Sequence, residues 1–258
     1  MTMPLVKMMT PRVKTLRGAL LGLAVFWLAG PALAGCETTL FEDQSFTTCT
    51  AQAGDDLRLF LNDPQGQVFG SFARVDAALD QQGQHLVFAM NAGMFHPDRR
   101  PVGLYIEDQE QAARLVTREG PGNFGMLPNG VFCILPEGFV IVESRAFADQ
   151  PPACRYATQS GPMLVIDGAL HPQFLPESTS VYVRNGVGVS DDGGSVALVI
   201  SDEPVTFYRF ARFFRDVLGL RQALYLDGNV SRLYAPEISR SDWGFPMGPI
   251  VGLVAPTD

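Results

Sequence analysis

A carboxylate that closes an apolar run is the first place to look for chemistry in this chain. Ala223 to Leu226 is such a run, and it ends at Asp227, followed by Gly228 and Asn229. Gly and Asn tolerate a sharp turn, so the strand would hold the carboxylate rigidly while the turn leaves room for a ligand. The same residues also suit an ordinary hairpin turn. Recurrence favours the site. Asn91 follows the apolar run Leu86 to Met90, Asn129 precedes Val131 to Leu135, and Ser160 precedes Met163 to Ile166. Arg184 interrupts the strand-like stretch Val181 to Val189. Polar groups where hydrophobic strands terminate combine a rigid scaffold with ligand access.

Other chemistries find less support. Ser160 lacks the Gly-x-Ser-x-Gly elbow of a serine nucleophile. His85, His96 and His171 are the three histidines, and two of them precede proline, as surface or loop residues do. There is no nucleotide-binding glycine fingerprint and no metal motif, so no cofactor is expected.

The elements that would position these residues read as follows. Ser71 caps a helix through Leu79, between the strands Leu57 to Leu61 and Leu86 to Met90. Thr206 caps a second helix, with Phe207, Phe210, Phe214, Val217 and Leu218 on one face and Gly219 ending it. That helix joins Val196 to Ile200 with Ala223 to Leu226, which predicts two parallel strands and a right-handed crossover. Gly138 to Glu143 returns as a hairpin partner for Val131 to Leu135. The Gly- and Pro-broken tail from Trp243 to Val254 reads as a surface segment. No linker or repeat divides the chain after residue 34. The expected fold is α+β: a single domain over residues 35–258, with a mixed β-sheet, at least one parallel strand-helix-strand unit and flanking helices.

Residues 1–34 read as a signal peptide, with Lys7, Arg12, Lys14 and Arg17 before an apolar run and Ala32-Leu33-Ala34 at its end. Nothing else is apolar enough over a long enough stretch to suggest a stable membrane span. Removing the leader deletes four of 19 basic residues and no acid, which takes the net charge from −8 to −12. That balance argues against nucleic acid as a partner, and it means a phosphate-bearing ligand needs a local cluster of Arg. All four cysteines follow the leader, and sequence order favours Cys36–Cys49 and Cys133–Cys154 as disulfides in a periplasmic or secreted protein. Leu33-Ala34-Gly35-Cys36 also fits a lipoprotein box, in which Cys36 would carry lipid instead.

Five segments occur in a telling order: Met90-Asn91-Ala92-Gly93-Met94-Phe95, Pro128-Asn129-Gly130, Gln159-Ser160-Gly161-Pro162, Arg184-Asn185-Gly186 and Leu226-Asp227-Gly228-Asn229-Val230-Ser231. Together they resemble the phosphodiester glycosidase family over roughly Leu86 to Val251. The resemblance implies a mixed α/β domain that hydrolyses the bond between a sugar's anomeric carbon and a phosphodiester. Two turns depart from it: Asn-Ala-Gly-Met-Phe replaces the usual Asn-Gly-Gly-Phe-Phe, and Leu-Asp-Gly-Asn-Val-Ser replaces Leu-Asp-Gly-Gly-Gly-Ser. A bulkier turn after Asp227 would reshape the sugar pocket.

On this resemblance the carbohydrate phosphodiester is the expected substrate, with Asp227 and Arg184 as the catalytic pair. Arg184 would hold the departing phosphate through two parallel hydrogen bonds, with Arg99 and Arg100 in support. Asp227 would stabilise the cationic sugar carbon, activate water or attack, according to the distance of a second carboxylate; Glu107 is the nearest candidate. Asn91 and Asn129 would orient sugar hydroxyls or an acetamido group, and Ser160 with Gly161 would bind a phosphate oxygen. Gly93 and Asn229 would line the substrate. A glycan-binding envelope module without turnover is the alternative.

Overall fold

A computed structural model of the chain describes residues 1–2 and 35–257. The expected leader therefore falls almost wholly outside the described residues. Contacts divide the chain into Met1–Ala32 and Leu33–Asp258, and everything below concerns the second unit.

Three sheets make the domain, and every strand pairing in them is antiparallel. The first has seven strands in the spatial order Gly35–Phe41, Gln44–Gln52, Ser195–Ser201, Asn185–Val189, Gln222–Asp227, Met163–Ile166 and Ala169–Leu170. The second runs Arg240–Ser241, Leu233–Ala235, Gln84–Asn91, Ile250–Pro256 and Leu57–Phe60. The third runs Glu110–Ala113, Tyr105–Glu107, Tyr156–Ser160, Gly130–Leu135 and Gly138–Glu143. One core unites them: Cys49, Leu198 and Leu224 from the first sheet meet Leu59, Met90 and Val251 from the second and Phe132 and Ile134 from the third.

The expected α+β fold, with a mixed β-sheet and a paired parallel strand-helix-strand unit, is therefore overturned: the domain is mostly antiparallel β, and the strands that each helix joins run the same way without pairing. Both helices expected from the sequence are present, but in each case a third strand inserts between the two they connect. Asn185–Val189 lies between Ser195–Ser201 and Gln222–Asp227, antiparallel to both. Ile250–Pro256 does the same between Leu57–Phe60 and Gln84–Asn91. Strand periodicity reports which residues are buried and carries no information about the neighbour, so a distant segment can take the central place. The second insertion also corrects the reading of the tail. Its end is a buried central strand, although Trp243 and Phe245 before it are exposed.

The helices cover outer faces. Ser71 caps Phe72–Asp80 through its hydroxyl to Arg74 N–H, and Phe72, Val75 and Leu79 pack on Leu86, Ala89 and Ile250 of the second sheet. Thr206 caps Phe207–Arg212, which continues as a π-helical turn over Phe213–Val217. Its Phe210, Phe213 and Phe214 bury against Phe46, Val199 and Ala223 of the first sheet. Each such ring contributes about 2–3 kcal/mol by leaving water. Gly188 makes the close approach possible, because a Cβ there would come within 2.8 Å of Phe214 and 2.6 Å of Leu220. The two disulfides are Cys36–Cys49, which clamps two neighbouring strands, and Cys133–Cys154, which ties Gly130–Leu135 to the loop before its neighbour Tyr156–Ser160.

Candidate active site

The strand Gln222–Asp227 carries its last residue to the sheet end, where the chain turns out through Gly228 and Asn229. Asp227 is 8% exposed. Its Oδ1 accepts hydrogen bonds from the backbone N–H of Gly228 at 2.6 Å and of Asn229 at 2.9 Å. That fixes one carboxylate oxygen and orients the other. Burial raises the carboxyl pKa, and the N–H bonds of the turn oppose the rise. The turn requires glycine at 228, since a Cβ there would sit 1.9 Å from the Tyr225 hydroxyl.

Behind Asp227 stands Asn185, a residue that the sequence did not single out. Its Oδ1 accepts from the Asp227 N–H at 3.0 Å, from Asn91 Nδ2 at 3.1 Å and from Ser231 Oγ at 3.3 Å. Its Nδ2 donates to the Asn91 carbonyl at 2.8 Å. This one amide ties the first sheet to the second at the point where both deliver residues to the site. Alternation was the missed signal: in a strand, neighbours point to opposite faces, so Arg184 and Asn185 could not share a role.

Arg184 is 1% exposed. Its Nε donates to the Val205 carbonyl at 2.8 Å, Nη2 to the Ser180 carbonyl at 3.1 Å and Nη1 to the Tyr225 hydroxyl at 3.3 Å. The guanidinium centre lies 3.7 Å from the Phe207 ring centroid, with Tyr182 and Tyr225 flanking it. Among the described residues no carboxylate pairs with it, and burial lowers its pKa. The Tyr225 hydroxyl, whose pKa burial raises, thus links a buried cation to the surface of a cavity.

That cavity holds about 670 Å³ and is walled by Asp227, Gly228, Asn229, Tyr225, Tyr182, Asn123, Phe95, His96 and Arg99, among others. Among the described residues, Asp227 is the single carboxylate in its wall. Arg99, in a left-handed conformation at φ 72°, lies against the Phe95 ring and has no ion pair among the described residues.

Of the residues expected from sequence, Asp227 and Asn229 line this cavity, and Arg99 joins them. Arg184, Asn91, Asn129 and Ser160 are buried in the layer behind it, whereas Arg100 is exposed and lines an adjoining cavity. Asn91 is fully enclosed, with Oδ1 accepting from Arg232 N–H at 2.9 Å and Nδ2 on Asn185. Asn129 donates to the Phe124 carbonyl at 2.8 Å. Ser160 Oγ donates to the Leu226 carbonyl at 2.9 Å, one residue before the carboxylate. Gly161 lies against Asn129, where a Cβ would approach to 2.4 Å, and Gly93 packs on Thr158. Glu107 goes elsewhere: it accepts from the Tyr105 hydroxyl at 2.7 Å and lines a different surface with Arg58 and Arg74. Among the described residues no group of three or more His, Cys, Asp or Glu could hold a metal ion.

A domain of antiparallel sheets with one buried carboxylate at the head of an aromatic-walled cavity is laid out to bind a compact polar ligand. Comparison with known proteins makes the class specific. The phosphodiester glycosidase profile matches residues 84–242, and the chain belongs to that family. It is 35% identical over 178 residues to the uncharacterized protein YigE of Escherichia coli K12, covering 69% of each chain. Its fold is similar to the catalytic domain of zebrafish N-acetylglucosamine-1-phosphodiester alpha-N-acetylglucosaminidase, auto-inhibited by its pro-peptide, with TM-score 0.56 at 14% identity over 84% of this chain and 81% of that one. A hypothetical protein from Synechocystis matches with TM-score 0.54 at 14% identity, over 85% of this chain and 61% of that one. No described helix is long and apolar enough to cross a membrane.

Proposed function

We propose that the chain is an exported hydrolase that cleaves a sugar-1-phosphodiester in an envelope or extracellular glycoconjugate, with Asp227 as the group acting at the anomeric carbon. The observation that carries this reading is the lone carboxylate, half fixed by its own turn, facing a cavity that also presents the unpaired Arg99. Most glycosidases use two carboxylates, one of them to protonate a poor leaving group. Breaking the anomeric C–O bond of a phosphodiester expels a phosphomonoester, a stabilised anion that needs no such proton, and water takes its place on the carbon. One carboxylate and a cation are then sufficient: Asp227 stabilises or attacks the cationic carbon while positive charge meets the departing phosphate.

Arg99 and His96 meet that phosphate directly. Arg184 acts through Tyr225, whose hydroxyl it polarises toward the cavity. Asn91, Asn129 and Ser160 hold the walls in place and do not touch sugar. Asn229 and Asn123 supply the polar contacts that orient the ring.

The test is incubation with the methyl phosphodiester of α-N-acetylglucosamine 1-phosphate and with a panel of other sugar 1-phosphodiesters. Free sugar should appear, and Arg99→Ala and Tyr225→Phe should each slow its release about tenfold or more. Tight binding without release across the panel would replace the hydrolase with a glycan-binding module.

A further inference from the structure

The cavity beside the Asp227 site is basic in an acidic protein. It holds about 680 Å³ and shares His96, Val102, Pro121 and Phe124 with its neighbour, so the two adjoin through common walls. Arg100, Arg114, Arg118 and His96 line it, against one acid, Glu119. Arg100 pairs with Asp98 at 2.7 Å, whereas Arg114 and Arg118 have no ion pair among the described residues. The whole chain carries a net charge of −8, so its general field repels anions and a local concentration of guanidinium groups stands out against it.

We infer that this cavity is a second anion subsite, and that the substrate is a phosphodiester-linked sugar chain with at least two phosphates. The inference rests on the glycosyl-phosphodiester reading of the Asp227 cavity and extends it to the leaving side. With the anomeric carbon at Asp227, the scissile phosphate meets Arg99 and His96 of the same wall, and His96 lines both cavities. A leaving group that continues past Pro121 and Phe124 enters the second cavity, where Arg114 and Arg118 present forked donors suited to phosphate oxygens. A neutral extension would leave those guanidinium groups unused.

Two ligands separate these cases. One is the methyl phosphodiester of α-N-acetylglucosamine 1-phosphate; the other replaces methanol with glycerol bearing a second phosphodiester. In the wild-type protein kcat/KM should favour the two-phosphate substrate by about tenfold or more, through KM, and the preference should shrink as salt rises. Arg114→Ala with Arg118→Ala, both exposed positions, should abolish that preference. Calorimetry with the hydrolysis-resistant C-glycosyl phosphonate analogues reads the same preference as affinity, independently of turnover. Absence of sugar release from either substrate would defeat the hydrolase reading, while the calorimetric ratio still decides the subsite. Equal affinity for the one- and two-phosphate analogues, or a preference that survives the double substitution, would overturn the second subsite.

Discussion

Asn91 and Asp227 lie one residue apart in space, joined through Asn185, yet they are built for different work. Both side-chain polar atoms of Asn91 have a protein partner: Nδ2 donates to Asn185 and Oδ1 accepts from the Arg232 N–H. Asp227 has one oxygen held by the turn and stands in a cavity wall. A polar group enclosed and paired by protein stabilises the fold, whereas one left partly open in a low-dielectric site is available for a ligand. Arg184 falls between the two. Its donors are filled by carbonyls and a phenol, but its charge is not.

The contrast can be broken first at its hinge. Asn185→Ala would leave the Asn91 amide and carbonyl and the Asp227 N–H buried without partners, at a cost of about 3 kcal/mol or more. Denaturant unfolding should show the loss as a lowered midpoint at constant slope; a midpoint within error of wild type would mean that the tie between sheets is unimportant. A smaller effect is expected from Gly228→Ala. The new methyl meets the Tyr225 hydroxyl, so the turn or the ring must shift, costing roughly 1–3 kcal/mol. Removing the obstacle in Gly228→Ala/Tyr225→Phe should recover part of that loss, and strict additivity in the double-mutant cycle would contradict the contact.

The smallest effect is in pH dependence. Burial raises the folded pKa of Asp227 above its unfolded value of about 3.9. The folded protein then holds that proton more tightly than the unfolded chain. Stability from this group is present at low pH and declines as pH rises from the unfolded pKa through the folded one. Asp227→Asn does not titrate, so its stability relative to wild type should climb above about pH 4 and level off once the carboxylate is ionised in both states. Parallel stability curves for the two proteins would show that the site is not desolvated.

Much of this was legible in the chain. The caps Ser71 and Thr206 and the hairpin at Val131 to Glu143 follow local rules, and local rules held; the stripe of the second helix held through Phe210 and Phe214, but the π-helical turn buries Phe213 and exposes Val217. Cystine pairing followed sequence order. Strand partnership did not, because Asn185–Val189 and Ile250–Pro256 reach their central places through long-range contacts that no window of sequence contains. The polar residues at strand ends did mark one region, but type and position could not say which side chains face inward. Tyr225 read as one more apolar member of a buried strand, and only the fold sets its hydroxyl between Arg184 and the cavity.

The most direct measurement is sugar release by Asp227→Asn, with thermal melting of the same sample. An amide keeps the shape of the carboxylate and its bonds to the turn but removes the charge. Release from a sugar 1-phosphodiester should fall about a thousandfold while the melting temperature at neutral pH stays level or rises. Turnover within about tenfold of wild type, in a protein that melts normally, would contradict the assignment of Asp227 to the reacting carbon.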